Sequence, residues 1–284
     1  MTATLMDGRA VAARIRAALR DEVAEVGEIC LATVLVGGDP ASEIYINLKH
    51  RAADEVGIRA LDKRLPGDTS EDELVALVGV LNDDDTVDGI LVQTPLPEHI
   101  DEARVMRTID PIKDVDGLHP FNAGQLFFGR QTLVGATPVG IMRLLGEYSI
   151  PVAGARAVVV GRSLIVGRPV AMLLLHANAT VTICHSRTDD LARHTLDADI
   201  LVAAVGHLGL ITADMVKQGA AVIDVGINRT DEGLFGDVDP GVAEVAAFLT
   251  PVPGGVGPMT IACLLENALR AARYRRGALA FPRI

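Results

Sequence analysis

The stretch Ala157 to Pro169, with Gly161-Arg162-Ser163 at its centre and Gly167-Arg168-Pro169 at its end, has the residue types and spacing to hold a phosphate. A β-branched run, Val158 to Val160, breaks at Gly161. Gly167 then opens a helical pattern through Met172, Leu173 and Leu174. A strand, a glycine turn and a helix start bring backbone N–H groups and the positive end of a helix dipole to one place, where a phosphate can sit. Pro169 suits a first helical turn, where its missing N–H costs nothing. The spacing is not G-x-G-x-x-G, and taken alone an ordinary β–α connection accounts for it equally well.

Downstream, Thr180 to Cys184 reads as a second strand ending in His185-Ser186-Arg187. In a dinucleotide fold the tip of that strand meets the adenosine ribose. An acid there binds the free 2′-hydroxyl of NAD, whereas Arg and hydroxyl side chains accommodate the 2′-phosphate of NADP. The chain offers Ser186 and Arg187, has no acid before Asp189, and places Arg162 in the first loop within reach of the same phosphate. NADP is the expected cofactor. Strands at Asp199 to Val205 and Ala220 to Gly226, with Thr212 to Gln218 as the helix between them, continue the alternation of a Rossmann-like, doubly wound parallel sheet.

Upstream, three polar features interrupt otherwise regular patterns. Tyr45 and Lys49 stand four apart in a helical pattern and share a face. Gln93 follows the apolar run Ile90-Leu91-Val92, and Asp114 and Asp116 alternate in Lys113-Asp114-Val115-Asp116-Gly117. Each has a plain structural reading beside a functional one: a solvated helix face, a strand cap, a turn.

Elements must position these residues. Met6 to Val26 is helical in pattern, Cys30 to Val36 is strand-like, and Ser42 is the expected N-cap of a helix running to about Val56. Lys63 to Leu65 reads as a short strand, Thr69 or Ser70 as the next helix cap, and Val87 to Val92 as a buried strand. Residues 108–138, rich in Pro, Gly and Asp, read as a link to the dinucleotide unit. Thr137 to Tyr148 is a helix crossing between the units, and the last helix, about Thr260 to Tyr274, follows the loop Pro251 to Pro258. The prediction is an α/β protein of two α/β lobes with a cleft between them, one lobe formed by 1–137 plus 259–284 and the other by 138–258.

Composition narrows the function classes. With 284 residues and 49% hydrophobic content, the chain can bury one large core or two modest ones. A formal net charge of -11 argues against nucleic acid or an anionic membrane as partner. Cys30, Cys184 and Cys263 are too scattered for a disulfide framework and read as reduced residues. No His/Cys/Asp/Glu spacing matches a metal motif. The absence of an 18-residue apolar run and of a cleavable leader predicts a soluble, cytoplasmic protein.

Six segments, in order, resemble the bifunctional methylenetetrahydrofolate dehydrogenase/methenyltetrahydrofolate cyclohydrolase family over nearly the whole chain. They are Asp39 to Lys49, Gly89 to Pro97, Lys113 to Gly117, Gly161 to Pro169, Asp224 to Asn228, and Pro251 to Thr260. Two positions depart from the family pattern: Thr94 stands where Leu is usual, and Ala136 where Cys is usual. The resemblance implies a folate-binding catalytic lobe (1–137 plus 259–284), an NADP-binding lobe (138–258) and a homodimer. It also implies residue roles. Tyr45 stacks on the folate, Lys49 handles the proton with Gln93 and Tyr45 as hydrogen-bond partners, and Asp116 accepts from the pterin edge. Asp114 serves the turn. Gly255, Gly257 and Pro258 let the backbone approach the substrate, and Thr137, Gly161, Arg162, Ser163, Ser186, Arg187 and Ile227 line the NADP side.

The implied chemistry is oxidation of 5,10-methylenetetrahydrofolate by hydride transfer to NADP, followed by hydration and ring opening to 10-formyltetrahydrofolate. Only the second step requires proton transfer. Three alternatives remain at this level: a dehydrogenase that has lost the cyclohydrolase step, an unrelated NADP-dependent reductase sharing only the second lobe, and a non-catalytic NADP-binding protein.

Overall fold

Residues 29–36 are apolar except for Thr33, and a strand of that composition must be covered on both faces. The computed structural model describes residues 2–130 and 132–282 and buries this strand completely. In chain order the first elements are β1 (Thr4–Leu5), α1 (Gly8–Val26), β2 (Ile29–Val36), α2 (Pro40–Val56), β3 (Ile58–Leu65), α3 (Glu71–Asp83) and β4 (Gly89–Val92). Then come α4 (Glu102–Thr108), α5 (Pro120–Phe127), α6 (Ala136–Glu147), β5 (Arg156–Val160), α7 (Gly167–His176), β6 (Thr180–Cys184), α8 (Leu191–Thr195), β7 (Ile200–Ala203) and β8 (Ala221–Asp224). The hairpin β9 (Asn228–Thr230) and β10 (Gly233–Phe235), β11 (Phe248–Leu249) and α9 (Val256–Arg275) follow.

The chain divides into two units: Arg14–Ala136 with Ile261–Ile284, and Met1–Ala13 with Thr137–Thr260. In the first, β2 lies between β3 and β4 in a parallel sheet. Cys30, Ala32, Val34 and Val36 on one face of β2 pack with Leu74, Val78 and Leu81 of α3 and with Val105 and Met106 of α4. The C-terminal helix is tied in through Asp88, which is buried, pairs with Arg275 and Arg276, and accepts from the backbone N–H of Cys30.

The second unit carries a six-stranded parallel sheet in the order β1-β11-β8-β7-β5-β6. Strand order reverses at β5, which has β6 on one side and β7 on the other. In such sheets ligands bind beyond the carboxyl ends of the strands at that reversal.

Several expectations need correction. The 1–137 boundary misplaces the N-terminus: β1 pairs with β11, and Ala3, Thr4 and Met6 donate to Ala243, Ala247 and Leu249, so these residues belong to the nucleotide lobe. Asp39, not Ser42, caps α2; its carboxylate accepts from Ser42 N at 2.8 Å and Pro40 takes the first helical position. β3 runs eight residues instead of three because it pairs with β2 along its full length, and its alternating charged residues protect an edge. The helix expected at Thr212 to Gln218 shrinks to the single turn Ala213–Met215. Few residues are available there, the bridge Ile211–Val238 pins one end, and the bond from Gly219 N to Val245 O pins the other. Within the expected link, Pro120 starts α5, capped by His119.

The three cysteines are buried and free. Among the described residues no helix is long and apolar enough to cross a membrane, and no cluster of His, Cys, Asp and Glu is arranged to hold a metal.

Candidate active site

In the Arg14–Ala136 unit, three elements deliver polar side chains to one place. α2 presents Tyr45 and, one turn later, Lys49. Thr33, in the middle of β2, meets His50 at 2.7 Å and fixes the helix beside Lys49. Gln93 extends the ladder one residue past β4, its N–H donating to Val34 O at 2.8 Å. Lys49 Nζ donates to Gln93 Oε1 at 2.9 Å, and Gln93 Nε2 donates to Thr94 O at 2.6 Å, which fixes the orientation of the amide. Ile44 and Leu48 flank this face, 45% and 42% exposed, an apolar surface that Tyr45 and Lys49 interrupt.

The third element is residues 113–117. Ile90 N donates to Lys113 O at 2.7 Å and Asp114 bridges Ile90 in parallel, so the segment runs beside β4 and carries Asp116 toward its carboxyl end. Four anchors hold it. Lys113 is buried and donates to the carbonyls of Leu81, Asn82 and Asp84 at the end of α3, the terminus where unpaired carbonyls favour a cation. Asp114 accepts from His119 N and Asn122 Nδ2. Asn267 of α9 donates to the carbonyls of Val115 and Val134, each at 2.8 Å. Gly117 turns with φ +64 where a Cβ would lie 2.8 Å from backbone atoms of 133–135.

The electrostatics separate the two acids. Burial pushes Asp114 up to about 6 against its hydrogen bonds. Asp116 is half-buried; desolvation raises its pKa, and the charge of Lys49 opposes the rise. Desolvation lowers the pKa of Lys49, with Asp116 opposing. Among the described residues no hydrogen-bond donor reaches the Asp116 carboxylate. Lys49, Gln93 and Asp116 are thus brought together, with Tyr45 on the same helix face.

In the other unit, Gly161 and Gly167 are required by backbone packing. A Cβ on Gly161 would lie 2.2 Å from Ala204 O, and one on Gly167 2.3 Å from Gly161 O, so the turn after β5 closes against the loop after β7. Ser163 Oγ accepts from Val166 N and Gly167 N at 3.2 and 3.3 Å, capping the start of α7. Arg162 follows β5 by two residues, as Ser186 follows β6. The turn at 185–188 is closed by Thr188 and by the ring of His185, leaving Ser186 and Arg187 exposed. Two guanidinium groups and a hydroxyl, with no carboxylate at either strand tip, are a donor set that fits a 2′-phosphate.

Thr137 pairs with Thr260 at 2.8 Å, and Ile227 is exposed just past β8. Gly255 and Gly257 differ. The first is buried where a Cβ would meet Thr250 and Pro251, so its glycine serves the fold; the second, in the first turn of α9 beside Pro258, faces open space. Sequence reasoning missed Ile44, Leu48, Asn122 and Asn267, and also Asp224 and Asp237. Glycines 226 and 236 were the available signal for the last two.

The family comparisons divide the chain into two successive parts, with 6–13 and 261–276 assigned to the opposite part from that in which they pack. Residues 6–116 match the catalytic domain of tetrahydrofolate dehydrogenase/cyclohydrolase, and residues 135–276 match its NAD(P)-binding domain. The bifunctional protein FolD of Burkholderia thailandensis is 54% identical over 284 residues, covering 98% of this chain and 100% of that one. The crystal structure of the bifunctional enzyme FolD from Campylobacter jejuni superposes with TM-score 0.94 at 46% identity, covering 96% and 99%. The Trypanosoma brucei methylenetetrahydrofolate dehydrogenase-cyclohydrolase, solved with NADP and an inhibitor, gives 0.93 at 40% identity, covering 99% and 100%. With both domain models matched in order and a full-length relative more than half identical, the chain belongs to the tetrahydrofolate dehydrogenase/cyclohydrolase family.

Proposed function

We propose that both reactions of the family use one set of residues on the Arg14–Ala136 unit, Tyr45, Lys49, Gln93 and Asp116. As a member of its family, the chain is an NADP-dependent methylenetetrahydrofolate dehydrogenase and methenyltetrahydrofolate cyclohydrolase. The observation that carries the residue assignment is the half-buried Asp116 carboxylate beside Lys49, partly desolvated and with no hydrogen-bond donor from the described chain. Such an acid is costly without donors, and a pterin's amino and ring N–H edge supplies them.

Tyr45 offers its ring to the flat heterocycle, and Ile44 and Leu48 extend that apolar wall. Bound NADP would supply the hydride acceptor; Arg162, Ser186 and Arg187 would hold its 2′-phosphate, with Thr137, Gly161, Ser163 and Ile227 as further contacts. Hydride departure needs no proton transfer, so in this step the chain's contribution is orientation. Water addition to the methenyl carbon does need it. Lys49, with a lowered pKa, accepts the proton from the attacking water and returns it to the ring nitrogen as the C–N bond breaks, the remaining hydroxyl proton leaving to solvent as the formyl C=O forms, while Gln93 holds Nζ in place. Gly257 and Pro258 leave room for backbone approach to the substrate. The family resemblance supports a cytoplasmic homodimer.

A coupled assay tests the reading: NADPH formation from methylenetetrahydrofolate together with decay of the methenyl absorbance. Methenyl decay with Lys49 replaced by Gln at the unaltered rate refutes the assignment.

A further inference from the structure

We propose that Asp224 and Asp237 are positioning residues for NADP, holding in place the two loops that carry Val205, Leu208 and Ile227 at the carboxyl edge of the sheet. Both acids are buried, Asp237 completely. Asp237 Oδ2 accepts from Val205 N and Gly206 N at 2.7 and 3.0 Å. Its Oδ1 accepts from His207 N at 2.8 Å and from Asn228 Nδ2 at 3.1 Å. Asp224 Oδ1 accepts from Gly226 N and Asp237 N at 3.0 and 2.9 Å, and Oδ2 from Val238 N at 3.1 Å. Three successive N–H groups converging on one carboxylate fix the path of the loop after β7. Asp224, through Gly226, fixes the loop after β8.

The fit is tight enough to dictate sequence. A Cβ on Gly226 would stand 2.2 Å from Asp237 Oδ1, and one on Gly236 1.7 Å from Asp224 Oδ2. Rigid backbone here presents apolar side chains to solvent: Val205 is 39% exposed, Leu208 50% and Ile227 49%. Arg162, Ser186 and Arg187 mark β5 and β6 as the 2′-phosphate end. β8 lies three strand spacings from β6, roughly 14 Å at about 4.8 Å each, so the apolar loops stand where the nicotinamide half of an extended dinucleotide falls. Their exposed side chains then cover one face of that ring, and the acids act only through them.

The inference rests on the carboxyl edge being the NADP site, and Arg162→Ala tests that separately: unchanged NADPH binding in that variant removes the premise. The pair itself is tested by Asp237→Asn, which keeps size and one acceptor but turns an NH₂ toward backbone donors. NADP KM rises about tenfold, the scale of one charge-assisted hydrogen bond, while kcat stays within about threefold. Cyclohydrolase turnover of methenyltetrahydrofolate without NADP stays within about twofold, because Tyr45, Lys49, Gln93 and Asp116 lie in the other unit. Asn228→Ala, which removes the donor that Asp237 shares with Gly236 O and leaves both carboxylates, raises NADP KM about threefold and keeps the test decisive should Asp237→Asn not fold. An unchanged NADP KM in these variants overturns the proposal, as does a cyclohydrolase rate that falls in step with NADP binding.

Discussion

Asp116 in the Arg14–Ala136 unit is a half-buried acid and Asp237 in the Thr137–Thr260 unit a fully buried one, yet no hydrogen-bond donor among the described residues reaches the first, and four reach the second. A carboxylate held among donors is content with the fold and spends its acceptors on backbone; it defines where loops go. One left with only the charge of Lys49 nearby is costly until something else supplies N–H groups. The same contrast recurs within five residues: Asp114 accepts from His119 and Asn122 and anchors the segment that carries Asp116. In this segment the saturated acid builds the scaffold, and we read the unsatisfied one as facing the ligand.

The largest expected effect tests the unsatisfied side. Lys49→Gln keeps a hydrogen-bonding side chain but cannot titrate, so cyclohydrolase turnover falls about 10²-fold or more, the scale of a lost general acid–base. Dehydrogenase turnover persists at a reduced, measurable level and methenyltetrahydrofolate accumulates. In the unaltered enzyme neutral Lys49 is the base, so turnover rises with pH through the Lys49 pKa, and burial places that rise below the ordinary lysine range. The rise is absent in Lys49→Gln. Equal loss of both activities, alongside a lowered melting temperature, means that Lys49 only orders its helix.

Asp116→Ala comes next. Folate KM rises in both reactions by roughly 10- to 100-fold, the range of a charge-assisted hydrogen bond, and NADP KM is unmoved. Asp116→Asn is nearly as harmful, since an amide offers one acceptor and a misplaced donor. Because the charge of Asp116 raises the Lys49 pKa, either change moves the cyclohydrolase pH rise to lower pH. Normal folate kinetics in Asp116→Ala leaves the segment as a turn and nothing more. A smaller effect belongs to the nucleotide edge: Arg162→Ala erodes the NADP-over-NAD preference about tenfold, by weakening NADP rather than improving NAD. Equal efficiency with both cofactors in the unaltered protein refutes the 2′-phosphate assignment.

Much of this was legible in the sequence. β2, β4, β5, β7 and β8 are dense apolar runs, and α2 and α9 have long helical patterns, so periodicity located them. Lys49, Gln93 and Asp116 interrupt regular patterns, but each also has a plain structural reading, and only the family resemblance gives them roles. What stayed hidden depends on distant partners. Thr4–Leu5 is too short to carry a period and becomes a strand only because Phe248–Leu249 lies alongside. Asn267 is one polar residue on a helix until its amide bridges Val115 and Val134. Asp224 and Asp237 are separated by a hairpin, and their neighbouring glycines read as turn residues until the carboxylates are seen filling the space a Cβ would need.

The smallest effect probes a saturated pair remote in sequence from the site residues. Ser70 and Glu73 cap α3 reciprocally: Ser70 Oγ accepts from Glu73 N, and Glu73 Oε2 accepts from Ser70 N at 2.9 Å. The far end of α3 holds Lys113, and through it the segment bearing Asp116, so the helix links the cap to the site. If a saturated group serves only the scaffold, Ser70→Ala costs about 1 kcal/mol and leaves both activities alone, because fraying is confined to the first turn of a helix about 20 Å long. The melting temperature then drops roughly 2–4 °C. Hydrogen bonds from Ser70 hold the Glu73 pKa below its ordinary 4.5, so their contribution is present above that pH and fades as pH falls below it. The melting-temperature gap between unaltered and Ser70→Ala protein should therefore narrow in acid. A change in folate KM in this variant, at a temperature where it is fully folded, shows strain passing along α3 to Lys113 and breaks the division between groups that build and groups that bind.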